Sequence, residues 1–321
     1  MLPPPRAISL TVISLIICNT GVVSGQAYPN KPVRIVTAGV GSAGDIAARL
    51  VAQGLAGGLG QQVVVDNRSS GVIPVEVVAR AAADGYTLLL YGNVIWLSPY
   101  LQDNVSYDPV QDLSPITLVA TSPNILAVHP SLPAKSVKEL IMLAKARPGE
   151  LNYSSGGAGS SSHLAGELFK SMAGVNIIRV EYKAGGVALS DLIGGQVQMT
   201  FAPVSGVAPH AKTGRLRALA VTGLEPSALA PGLPTVAAAG LPGYESVSII
   251  GLFAPGKAPA AVVERLNRES VRTIQSPEVK EKFLNAGVEV VGSSPEALAI
   301  KMKSVIAAIA KLIKDTGIKA E

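Results

Sequence analysis

Short apolar runs alternate with longer amphipathic ones through most of this chain, and that alternation is what most narrows its fold. Val33–Thr37, Gln62–Asp66 and Thr87–Tyr91 read as strands, with helices expected at Ile46–Leu59 and near Val75–Ala82 between them. Apolar runs of about four to six residues separated by helical patterns predict a parallel sheet covered on both faces. The rhythm continues through Ile125–His129, a helix at Ser136–Ala146, Asn152–Ser154, a helix at Ser161–Ala173, Ile177–Glu181, Val197–Phe201 and Leu216–Thr222. Pro-Gly at 148–149 and 242–243 and Gly-Gly at 185–186 and 194–195 fall between periodic segments, as turn chemistry requires. Near the end, Leu298, Met302, Val305, Ile309 and Leu312 recur at helical spacing and form one apolar stripe that should dock on a core. The fold class is therefore α/β.

With 321 residues, 48% of them hydrophobic and 15% charged, the chain can bury one large core or two medium ones. Aromatic residues make up 4%, too few for a base-stacking surface. The formal charge of +5 is spread without a basic run, so a nucleic-acid partner is not expected. Residues 1–27 read as an export signal: Arg6 supplies the positive start, Ile8 to Ile17 the apolar centre, and Gly25-Gln26-Ala27 a small-residue cleavage site before Tyr28. That apolar centre is too short and too interrupted to span a membrane. Cys18, the only cysteine, would leave with the signal, so neither disulfides nor thiol chemistry are expected. The 3 histidines are far apart in sequence and predict no metal site.

Two Gly/Ser-rich turns carry the functional signal. Gly39-Val40-Gly41-Ser42-Ala43-Gly44-Asp45 and Ser154-Ser155-Gly156-Gly157-Ala158-Gly159-Ser160-Ser161 each lie between a strand-like and a helix-like run. A helix N-terminus presents unpaired amides and about half a positive charge, so a turn that admits ligand oxygens to it makes an anion site. Two such turns suggest a clamp on a small anion, with Gly41, Ser42, Ala43, Gly44 and Asp45 on one side and Ser155, Gly156, Gly159, Ser160 and Ser161 on the other. Asp45 either complements the helix dipole and fixes the loop or meets an amine on the ligand. Tyr182-Lys183-Ala184-Gly185-Gly186 could add a third helix terminus and a cation, Lys183, or be only a turn. Two enzyme readings compete. Residues 39–44 fit Gly-x-Gly-x-x-Gly and are followed by Asp66, as in a dinucleotide fingerprint, but an exported protein is not expected to meet a soluble nicotinamide, so no cofactor is assigned. Serines beside His163 raise an acyl-transfer hydrolase, but neither a Gly-x-Ser-x-Gly elbow nor an evident orienting acid is present.

Ordered motifs along the chain resemble a known family. They include Tyr28-Pro29-x-Lys31-Pro32-Val33, Asp45-x-x-Ala48-Arg49, Val64-Val65-Asp66-Asn67-Arg68, Asp84-Gly85-Tyr86-Thr87-Leu88, Tyr107-Asp108-Pro109, Leu151-Asn152-Tyr153, His163-Leu164-Ala165-Gly166-Glu167, Gly194-Gly195-Gln196-Val197 and Leu216-Arg217-Ala218-Leu219. Together, from about Tyr28 to Gly317, they resemble the Bug-type receptors, extracytoplasmic solute-binding proteins of tripartite tricarboxylate transporters. The resemblance implies a two-lobed periplasmic-binding-protein fold with mixed, mostly parallel sheets, closing on a carboxylate or amino acid, and no catalysis. It implies a periplasmic location, a monomer, and membrane permease subunits as partners, with a sensing role without a permease left open. It further implies that positions near Asn93, Lys183, Gly185, Ala202 and Pro203 meet the far end of the ligand. The expected lobes are 28–123 plus 252–321 and 124–251, joined by Thr117–His129 and Ser246–Pro255. The family's Pro-Pro-Gly-Gly stands here as Gly39-Val40-Gly41-Ser42, which exchanges fixed φ for freedom in the first loop.

Overall fold

The computed structural model describes residues 28–40, 42–68, 71–102 and 104–317. The expected export signal lies outside these residues. A first unit runs β1 (Val33–Thr37), α1 (Ala43–Leu59), β2 (Val63–Asn67), α2 (Ile73–Ala79), β3 (Thr87–Tyr91), α3 (Val94–Leu101). Its strands are parallel, with β1 between β2 and β3. After β4 (Leu113–Val128) and α4 (Val137–Ala146) the same unit recurs: β5 (Asn152–Ser155), α5 (Ser161–Ala173), β6 (Ile178–Glu181), α6 (Gly185–Ile193), β7 (Met199–Pro203), α7 (Val204–Lys212). Here β5 lies between β6 and β7, again in parallel. The chain closes with β8 (Arg217–Val221), β9 (Val247–Pro255), α8 (Ala260–Ile274), α9 (Pro277–Asn285), β10 (Glu289–Val290) and α10 (Pro295–Thr316).

One strand joins the two sheets. The first part of β4, up to Pro123, pairs antiparallel with β9, and from Asn124 on it pairs antiparallel with β7 and β8. The path is β2-β1-β3-β9-β4-β7-β5-β6, with β8 and β10 also on β4. Parallel pairing is thus confined to the two repeated units, and every strand at the junction runs antiparallel. The crossing falls where the run Thr117–His129 was expected to make it. On the return, Ser246 N donates to Thr222 O at 2.9 Å, and β9 pairs with the first sheet from Val247 onward. The return crossing is therefore at 246–247, ahead of the expected 251–252 junction.

Strand alternation sorts the core. In β3, Leu88 and Leu90 face α1, α8 and α9, whereas Leu89 and Tyr91 face α2, α3 and α10. In β4, Leu126 and Val128 face α4 and α5, and Ile125 and Ala127 face α6 and α7. Both faces of each sheet are covered, which is why these strands read as near-continuous apolar runs. The stripe on α10 docks as expected, with Leu298, Met302, Ile309 and Leu312 buried, and it also meets Leu164 from α5 in the other half. Two further ties link the halves: Lys301 Nζ reaches both oxygens of Glu245 at 2.6 Å, and Glu289 accepts from Ser227 Oγ at 3.0 Å and Ala228 N at 2.6 Å.

Three boundaries differ from the sequence reading. Helix α2 starts at Ile73 and stops at Ala79, because Pro74 fits its first turn and needs no amide partner. Helix α3, Val-Ile-Trp-Leu-Ser-Pro-Tyr-Leu, is apolar nearly all round and carries Pro99, so it shows no amphipathic period. Helices α6 and α7 are 9 residues each, too short for a clear periodic signal.

Candidate functional site

Ligands of open α/β sheets bind beyond the carboxyl ends of the strands, where neighbouring crossovers leave in opposite directions. This chain has two such places, after β1 and after β5.

At the first, Ser42 caps α1, its Oγ accepting from Asp45 N at 3.1 Å. Gly41 lies outside the described residues, and only the backbone of Ala43 is described. Asp45 is 3% exposed, and its Oδ1 accepts from Asn67 Nδ2 at 2.9 Å and pairs with Arg49 at 2.9 Å. Asn67 uses its other amide hydrogen on Ala38 O at 2.7 Å. Of the two roles open to Asp45, loop anchoring is the one these bonds describe. Asp66, which completed the dinucleotide pattern, pairs instead with Arg68 at 2.8 Å and Arg34 at 3.4 Å.

At the second, Ser160 caps α5, with Oγ accepting from His163 N at 3.3 Å. Ser162 Oγ accepts from Gly156 N at 2.9 Å, and His163 Nδ1 accepts from Gly159 N at 3.2 Å. Gly159 has φ +76°, and a Cβ there would stand 2.8 Å from Leu101 of the first half, so a larger residue would both strain the loop and push the halves apart. Arg179 on β6 completes the loop: Nε donates to Ser155 Oγ at 2.8 Å and Nη2 to Gly156 O at 2.9 Å, while pairing with Glu181 at 2.5 Å. Ser155 Oγ in turn donates to Gly156 O at 2.9 Å. The hydroxyls of Ser155, Ser160 and Ser162 therefore hold the loop. Ser161, half-buried in the first turn, takes no part in this network among the described residues.

His163 is 4% exposed. Burial, reinforced by the Arg179 and Lys170 cations and opposed by Glu167 and Glu181, pushes its pKa down to about 4. Since Nδ1 accepts, the neutral ring carries its proton on Nε2. The nearby Ser160 hydroxyl bonds the backbone amide of His163 and not its ring, so the pair acts as helix cap and loop support. Burial also raises the Tyr153 hydroxyl well above its ordinary pKa, and it donates to Glu167 at 2.7 Å.

Beside this loop lies a hollow of about 90 Å³. Ser155, Gly156, Gly185, Ala202 and Pro203 line it, together with Ser162, Tyr182 and Thr200, and no charged side chain does. Helices α6 and α7 begin there with Ala184 and Pro203 at the cap, and neither receives a side-chain cap bond. Without a side-chain cap, their leading amides lack the partner that Ser42 and Ser160 give to α1 and α5. Gly159, Ser160 and Ser161 belong to the same corner, and Lys183 is exposed just ahead of α6. The structure does not bring every expected residue here. Gly44, Ser42 and Asp45 belong to the first corner and are not among the lining residues. Asn93 braces β9, its Oδ1 accepting from Ile249 N at 3.0 Å, and it lines a separate cavity of about 100 Å³ against α5 and α10. Sequence reasoning missed Arg179. Its only signal was that Arg179 and Glu181 share one face of a strand.

A pair of βα corners, carried on two sheets that share one long strand, is the architecture of a periplasmic binding protein. Comparisons with known proteins agree. The model of the tripartite tricarboxylate transporter family receptor matches residues 47–318. Protein BugT of Bordetella pertussis is 35% identical over 320 residues, 97% of this chain and 98% of that one. Among solved structures, an R. palustris protein with adipate is 36% identical with a TM-score of 0.70, covering 92% of this chain and 100% of that one. MatC from Rhodopseudomonas palustris with bound malate is 26% identical with a TM-score of 0.67, covering 89% of this chain and 100% of that one. This chain belongs to the tripartite tricarboxylate transporter receptor family. Among the described residues, no helix is long and apolar enough to cross a membrane.

Proposed function

We propose that the protein is an exported, periplasmic receptor that captures a small carboxylate between its halves and, without transforming it, presents it to a membrane permease. The observation that carries this reading is the hollow beside α5, α6 and α7, where α6 and α7 start without a side-chain cap and no charged side chain lines the wall. Relatives solved with adipate and malate indicate the ligand class. The proposed lobes are 28–123 with the segment from Val247 to the end, and 124–246, so that Pro123–Asn124 and Ser246–Val247 form the hinge. In this reading the α5–α7 corner seats one carboxylate. Gly41, Ser42, Ala43, Gly44 and Asp45 come to the ligand from the other lobe on closure, and Lys183 adds positive potential at the rim. A ligand shifts that equilibrium only through its preference for the shut form. The receptor is proposed to act as a monomer.

The test is thermal unfolding with a panel of organic acids that includes adipate and malate. At one hundred times Kd, ligand binding adds about 2.7 kcal/mol, a Tm rise of about 5 °C for a protein of this size. A panel at millimolar concentration that leaves Tm unmoved would overturn the proposal.

A further inference from the structure

The Arg179 side chain, 21% exposed, reaches along the second sheet into the corner after β5, where it occupies three acceptors on three residues. Each bond has a consequence for a ligand. The bond to Ser155 Oγ uses one of that hydroxyl's acceptor positions, and the hydroxyl's single proton goes to Gly156 O, so Ser155 keeps no donor for an anion. The bonds from Arg179 and Ser155 Oγ occupy Gly156 O, a carbonyl that would repel a carboxylate if it turned toward one, while Gly156 N is tied to Ser162 Oγ. The pair with Glu181, two residues further along the same strand, holds the guanidinium beside the turn. A guanidinium can do all three at once because its donors lie in a rigid planar fork, which an ammonium lacks.

We infer that Arg179 is a positioning residue for ligand capture, locking the Ser155–Ser160 turn so that its carbonyl is held off the bound carboxylate and the uncapped starts of α6 and α7 are left to receive it. This rests on the receptor reading above. Arg179 itself need not touch the ligand, and what it supplies is the shape of the turn.

The experiment compares wild type, Arg179→Lys and Arg179→Met by calorimetric titration with adipate and malate. Folding is checked by circular dichroism and Tm, and the His163 ring is titrated by NMR. Arg179→Lys keeps the charge and loses the fork, whereas Arg179→Met loses both. Hydrogen bonds to charged groups of this kind predict a Kd raised about tenfold or more in each variant. The His163 titration separates the two contributions. Burial lowers it most, and four charged groups adjust it: Arg179 and Lys170 hold it down, Glu167 and Glu181 push it up. It should move up in Arg179→Met and stay depressed in Arg179→Lys. Weakened binding in Arg179→Lys with His163 still depressed supports the inference, because charge is then intact and only the turn has changed. Wild-type affinity in Arg179→Lys overturns it, leaving charge alone as the contribution. Should Arg179→Met fail to fold, Arg179→Lys still decides between those outcomes. A wild type that binds none of the acids overturns the receptor reading, and this inference with it.

Discussion

His163 offers the sharpest test of the second corner, because its ionisation is tied to the fold in a direction that can be worked out. The ring is buried at the start of α5, where a helix N-terminus and the Arg179 cation both disfavour a positive charge. Its pKa falls from 6.5 to about 4 on folding, with burial the largest cause. Between those values the unfolded chain holds a proton that the native chain does not. Stability therefore rises with pH across this window. The contribution is fully present above about pH 6.5 and is lost as pH falls through about 4. The slope is about 1.4 kcal/mol per pH unit, and the whole loss about 3 kcal/mol.

The perturbation is His163→Asn, which places a non-titrating oxygen near the position of Nδ1 and so keeps an acceptor for Gly159 N. Urea unfolding of both proteins at half-unit steps from pH 7.5 to 4 gives the difference in stability, in which groups common to both cancel. Wild type should lose ground to the variant steadily below pH 6.5. Parallel curves would show that His163 titrates alike in folded and unfolded chains, and the account of the corner as a dry, cation-flanked loop would fall.

Other outcomes are equally specific. Gly166→Ala places a Cβ 2.3 Å from the Tyr153 ring, so α5 must move off β5, and stability should drop by about 1–3 kcal/mol in urea titration; an unchanged midpoint would mean the contact relaxes freely. Ser160→Ala removes the α5 cap and should cost about 1 kcal/mol. Ser161→Ala should leave stability alone and weaken adipate binding, and an unaltered Kd would take that hydroxyl out of the site.

Much of the two repeated units was legible in the sequence because β1, β3, β5 and β7 are mostly buried and α1 and α5 are amphipathic, so periodicity changes at their boundaries. The one crossing strand was legible from length, since β4 at 16 residues is far longer than one sheet needs, whereas β9 stays within the first sheet. Helix α3 was not, because a segment buried on nearly every side has no period to read. In the site, the turns announced themselves through glycine and serine, but which hydroxyls are free did not. Ser155, Ser160, Ser161 and Ser162 look alike in one dimension, and only the bonds to Arg179, Gly156 and His163 distinguish those that build the turn from Ser161. Asn93 shows the same ambiguity: a polar residue after a strand at the junction serves β9 just as well as it would serve a ligand.

The two halves brace their corners in the same way, and the difference between the braces bears on which corner the proposed ligand should meet first. In each, a side chain from the neighbouring parallel strand bonds the carbonyl of the first residue past the central strand: Asn67 of β2 to Ala38 O, Arg179 of β6 to Gly156 O. Repetition at the same topological place argues that fixing this carbonyl is a requirement of the corner and no accident of either loop. The first brace is neutral, and the acid beside it, Asp45, is offset by Arg49. The second brings a guanidinium, offset by Glu181, to a corner where α6 and α7 also start uncapped. What the second half adds is two helix starts without a side-chain cap, whereas α1 in the first is capped by Ser42. A carboxylate should seat there before closure, with the first corner arriving as the lid. Arg179→Met should then slow association, whereas a substitution at Asn67 should chiefly speed release, a distinction that stopped-flow kinetics with adipate can resolve and that equal effects on both rates would refute.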